Sequence, residues 1–155
     1  MATALLAGAI VYSFTAYLGI FKAVRTLEMS ISDFDFRVLN STKAITETVV
    51  FMNNSSPHEF YAIYLTERVF VNGMFVGTTH LGTIGRSASI YVPPNSSKNA
   101  TMTLELDLLF LLPHLVEMLL EPSSQKEWTL LIDAQMEGPL VGKFTMRTIE
   151  GVATF

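Results

Sequence analysis

Residues 60–77 read FYAIYLTERVFVNGMFVG. A long run of aromatic and β-branched side chains ends at Asn72-Gly73, and apolar residues resume at once. Asn and Gly both accept a positive φ, so this dipeptide favours a two-residue type I′ connection. The stretch reads as a long strand, a tight hairpin, and a return strand that begins at 74–77 and is short and Gly-rich through His80, Gly82 and Gly85.

Strand signals continue on both sides of this hairpin. Residues 44–52 (AITETVVFM) form a strand closed by Asn53, Asn54, Ser55, Ser56 and Pro57, since Pro cannot donate to a ladder. Residues 31–38 (ISDFDFRV) alternate apolar and polar, the period of a half-buried strand, and 40–43 form a turn. Downstream, residues 87–92 (SASIYV) are closed by Pro93-Pro94. Residues 99–108 place Thr101, Thr103, Glu105 and Asp107 on one face. Residues 127–136 and 140–155 are two closing strands joined by Glu137-Gly138-Pro139. About eight strands, with turn signals roughly every ten residues, argue an all-β antiparallel sandwich or barrel.

One interior segment breaks the pattern. Residues 108–120 read LLFLLPHLVEMLL, with Leu112, Leu115, Val116 and Leu119 at helical spacing. Pro113 suits a first helical turn, where its missing N–H costs nothing. A short helix is expected over 113–120, too short to span a bilayer.

The 155-residue chain is half apolar and only 15% charged. Much of that excess lies in residues 1–21 (MATALLAGAIVYSFTAYLGIF), which carry no charged side chain, with Lys22 and Arg25 just beyond. As a helix this run rises about 31 Å, so an uncleaved transmembrane anchor is expected over residues 1–24. A linker at 25–29 and a domain at 30–155 follow. A buried core helix is the alternative, and a cleaved signal peptide lacks its basic n-region. Ala4, Gly8 and Ala9 offer a weak surface for self-association of such helices.

Two signals disagree on orientation. Lys22 and Arg25 favour a cytoplasmic domain. Asn40, Asn53, Asn54, Asn95 and Asn99 each begin an N-x-[ST] sequon, which favours an extracytoplasmic, glycosylated one. The latter is the expectation, with single-pass localisation.

The strand order has a family outline. AITETVVFMNN at 44–54, the "VNG-x-x-V-G" return within 60–77, IYVPP at 90–94, a short amphipathic helix and closing strands together resemble the water-stress (WHy) domain of type 2 late embryogenesis abundant (LEA-2) proteins. The family's Asn-Pro-Asn appears here only as Asn53-Asn54, with the Pro delayed to Pro57. The resemblance covers 30–155. It implies a fibronectin- or immunoglobulin-like sandwich with one short helix, often behind a membrane anchor, associated with stress tolerance and offering no catalytic residues.

Chemistry is sparse. With no Cys, thiolate metal sites and disulfides are excluded. His58, His80 and His114 are too far apart in sequence for an i, i+4 metal pair. Gly82 to Ser87 lacks the full phosphate-loop spacing. Asp33 with Asp35, and Glu105 with Asp107, fall on wet strand faces rather than converging for acid–base work. Net charge is −4 and the cations are scattered, which argues against nucleic acid. No cofactor, metal or catalytic residue is expected. The partners expected are membrane lipid, other envelope proteins, or copies of the chain through the N-terminal helix. Three readings compete: a non-enzymatic LEA-2-like module at a membrane, a pilus-like filament subunit whose basic leader is missing here, and an enzyme with a dispersed site.

Overall fold

The computed structural model describes residues 2–82, 89–121, 125–138, 142–146 and 148–154. Most of the Gly82 to Ser87 loop and the start of the expected 87–92 strand lie outside them, as do the side-chain surroundings of Ala4, Gly8 and His114.

An antiparallel sandwich forms. Its first sheet has the order β1 (Leu27–Asn40), β2 (Lys43–Asn54), β6 (Ser96–Asp107). The second runs β4 (Met74–Leu81), β3 (Phe60–Val71), β7 (Glu127–Gly138), β8 (Gly142–Thr145), with β5 (Ile90–Val92) also on β3 and β9 (Ile149–Thr154) also on β7. The expected hairpin is present: Asn72 and Gly73 take φ values of 47° and 76°. On β6, residues alternate buried and exposed, with Thr101, Thr103, Glu105 and Asp107 outward. α2 (Pro113–Leu120) occupies the range read from its spacing. Leu115 and Leu119 are buried in the core, Val116 packs beside them, and Leu112 caps the helix in solvent.

Two strand expectations change. Ser32 and Asp33 are consecutive polar residues, and β1 absorbs them as a register shift between Ile31 and Asp33. The alternation thereby resets so that Phe34 and Phe36 still face inward. The 140–155 strand divides into β8 and β9, which share one edge of β7 in succession. At the junction Met146 N donates to Ala134 O (2.9 Å), and Thr148 Oγ1 donates to Asp133 Oδ1 (2.6 Å).

The two sheets approach each other at both flanks. Gly77 on β4 lies against Leu104 of β6, and Gly151 on β9 lies against Ile31 of β1, where a Cβ would come 2.5 Å from Ile31 Cδ1. Between the sheets sit two apolar clusters. One, at the end where β1 begins, centres on Met52, Phe60, Leu65 and Ile132. The other, at the α2 end, centres on Val69, Leu104, Leu130 and Trp128. Trp128 is fully buried and meets Phe34 and Phe36 at ring-centroid distances of 5.3 and 4.8 Å. It thus joins the sheets as a core residue.

The expectation of an N-terminal transmembrane helix is overturned. α1 (Ala2–Arg25) is helical, but among the described residues no helix is long and apolar enough to cross a membrane. Ala, Gly, Ser and Thr dilute its Leu and Ile, Tyr12 and Tyr17 fall within it, and two cations occupy its last turn. The single-pass localisation inferred from it falls too. The helix is followed directly by the first strand, which begins within the 25–29 segment. Ala23 is 4% exposed, Val24 packs beside it, and β1 starts at Leu27, itself buried.

Candidate functional site

Candidate acid–base and metal residues do not converge. No group of three or more His, Asp or Glu that could hold a metal exists among the described residues. His80 stacks on Tyr64 across β3 and β4 (centroids 5.3 Å apart, planes 19°) on the outer face of the second sheet. His58 presents its backbone oxygen to Asn54. Asp35 pairs with Arg37 (2.8 Å), which also bridges to Glu47. Asp33 caps Phe34 N, and Asp107 accepts from Leu109 N (3.0 Å). All four paired carboxylates from the sequence stand in solvent. The depression lined by Phe51, Ser97, Lys98 and Asn99 contains one ionisable side chain, Lys98.

The sequon residues separate sharply. Asn40 is exposed at the β1–β2 turn and accepts from Thr42 N and Thr42 Oγ1, both at 2.9 Å. Asn53 is half-buried, with its amide 3.4 Å from Glu28 Oε2. Asn95 and Asn99 are exposed, Asn95 at a φ of 48°. Asn54 is fully enclosed. Its Nδ2 donates to His58 O (2.7 Å), Pro93 O (2.9 Å) and, more weakly, Val92 O (3.4 Å). Its Oδ1 accepts from Ser56 N (3.1 Å) and Ser56 Oγ (2.8 Å). A glycan could reach this nitrogen only by undoing those bonds.

Sequence reading missed a second buried polar group. Glu67 on β3 has no exposed surface and faces Thr46 and Thr48 of β2, which are equally enclosed. Thr48 Oγ1 donates to Glu67 Oε1 at 2.5 Å. Glu67 Oε2, Thr46 Oγ1 and Trp128 Nε1 have no hydrogen-bond partner among the described residues. Burial pushes the Glu67 carboxyl above the usual carboxylate range, and the Thr48 hydroxyl pulls it partly back. These polar groups lie along the strands between the residues of the two apolar clusters: β2 runs Ala44, Thr46, Thr48, Val50, and β3 runs Leu65, Glu67, Val69. The signal was present as parity, because Glu67 shares the inward register of Leu65, Val69 and Val71.

The remaining feature is exposed apolar surface at the two ends. Leu108 N donates to Thr42 O, seating the segment after β6 against the β1–β2 turn. Beyond it Leu109 is 73% and Phe110 87% exposed, at the end that also displays Val38, Leu39, Leu112 and Leu120. At the opposite end α1 leaves Ile10, Val11, Phe14, Tyr17, Leu18 and Phe21 in solvent. Isolated exposed Leu or Phe residues are ordinary, whereas groups of them mark interaction surfaces.

No protein-family model matches the chain, and no curated protein matches it. Solved structures do. A protein from Archaeoglobus fulgidus superposes with a TM-score of 0.56 at 13% identity, over 81% of this chain and 96% of that one. An Arabidopsis thaliana protein gives 0.59 at 18% identity, over 83% and 80%. The solution structure of a candidate late embryogenesis abundant (LEA) protein gives 0.51 at 12% identity, over 99% and 83%. At such identities the likeness concerns the fold. This chain has the fold of that LEA structure, and the resemblance read from strand order and turn positions is a structural one.

Proposed function

We propose that this chain is a non-enzymatic, stress-protective binding module of the LEA-2 kind, which covers apolar partner surfaces, lipid among them, with the apolar residues at its ends. The observation that carries this reading is Leu109 and Phe110, held out in water on a loop anchored to the β1–β2 turn. The shared fold and the scatter of ionisable side chains support it. The test is co-sedimentation with lipid vesicles, together with protection of a labile enzyme through drying. The double variant Leu109→Ser/Phe110→Ser is expected to keep its fold and lose most of both effects. Equal performance by the variant defeats the assignment to this loop, and saturable turnover of a small molecule defeats the non-enzymatic part.

A second reading, a self-associating subunit packed through α1, draws on the apolar residues that α1 exposes on several sides. Light scattering separates the two. A filament subunit forms large particles without lipid and loses them in Phe14→Ser/Leu18→Ser.

A further inference from the structure

Glu67 is the one acid that is fully enclosed among the described residues. The inward positions around it are Thr46 and Thr48 on β2, Met102 and Leu104 on β6, Leu130 and Ile132 on β7, Thr79 on β4, and Phe34 on β1. None of these carries a charge. The neighbouring ionisable groups Arg68, Asp133 and His80 belong to the outer face, where Arg68 Nη2 pairs with Asp133 Oδ2 at 2.9 Å and His80 approaches Thr66. An ionised Glu67 would therefore hold a single hydroxyl donor, with its second oxygen bare between two apolar clusters. A buried charge without a counter-charge is far costlier than a buried neutral acid.

We propose that Glu67 is carried in the folded sandwich as an uncharged acid, and that its ionisation weakens the seam between the two sheets, making this fold sensitive to rising pH. The raised affinity of Glu67 for its proton agrees with this geometry. The folded state binds the proton more tightly than the unfolded chain does. The stabilising contribution is therefore complete below the ordinary glutamate range and is lost as pH climbs through the raised folded value. Within that window the unfolding constant rises about tenfold per pH unit for one proton.

The experiment is urea unfolding of the full chain across pH, wild type against Glu67→Gln, which keeps the shape and cannot ionise. The expected result is a wild-type stability that falls relative to the variant as pH rises, with the difference levelling off at acid pH. A difference that does not vary with pH overturns the proposal. Carbon-13 NMR of the wild-type Glu67 carboxyl decides independently of any variant. Titration above the ordinary glutamate range supports the neutral acid, and titration within that range overturns it. Thr48→Val removes the one donor to the carboxyl and is expected to move the titration further upward, whereas an unmoved or lowered titration counts against the seam as drawn.

Discussion

Two of the polar side chains enclosed in this sandwich, Asn54 and Glu67, are treated in opposite ways. Asn54, near the α1 end, uses both its amide nitrogen and its oxygen, tying the end of β2 to the 56–58 turn and to the backbone after β5. Glu67, in the middle of the core, has one partner for two oxygens. The difference teaches that enclosure alone does not tell what a polar group does. A saturated group works as a fastener, and removing it strands several backbone partners. A half-satisfied group stores an electrostatic liability, and replacing it by a well-shaped apolar side chain can be harmless.

The sharpest way to break this contrast is at Asn54. Asn54→Leu takes the side-chain partner from the Ser56 N–H and the Pro93 carbonyl, and leaves the His58 carbonyl only the weaker bond from the Ser56 hydroxyl (3.3 Å). It should cost about 3 kcal/mol, several buried polar groups at 1–3 each being only partly re-solvated. Urea unfolding checks it, and a loss under about 1 kcal/mol would mean that water replaces the amide at little cost. Next comes the seam. Thr48→Val alone should destabilise by about 1–2 kcal/mol, since Glu67 loses its last partner. Glu67→Leu/Thr48→Val together should be neutral or gain about 1 kcal/mol at neutral pH, because both ends of the interaction become apolar. A double variant no better than the sum of its single variants would place Glu67 with Asn54 as a fastener. The smallest effect is expected on the surface. Asn99→Gln should change stability by less than about 0.5 kcal/mol. In a glycosylating host, no mass shift should map to Asn54, whose amide is enclosed and bonded to backbone carbonyls, as peptide mass spectrometry would show.

Much of the fold was legible where local chemistry decides it. Asn72-Gly73 imposes its own turn, and Pro113 with its apolar stripe sets α2, so neither depends on distant residues. The division of β8 from β9 was not legible, because Met146, Arg147 and Thr148 include no Gly or Pro and the partners at the break, Asp133 and Ala134, lie on β7. The work done by Asn54 was hidden for the same reason. As a strand-ending Asn it reads as a turn former, while two of its partners are 38 and 39 residues away. α1 misled in another way. A run free of charge is a poor guide when its small and hydroxyl-bearing residues lower the hydropathy that a bilayer demands. Leu109 and Phe110, by contrast, were seen only as part of an apolar run, and nothing local announced that they would stay in water.

β7 pairs with β3 on one side and with β8 and β9 on the other. During synthesis β3, β4 and β5 emerge long before it, so the inner edge of β3 waits without a mate until residues from Glu127 onward leave the ribosome. Completion of the larger sheet is thus deferred to the last stretch of translation, a slow, long-range closure of the kind that leaves nascent β-proteins open to aggregation. A chain stopped before Glu127 would hold most of the sandwich's residues and lack the strand that joins the halves of that sheet.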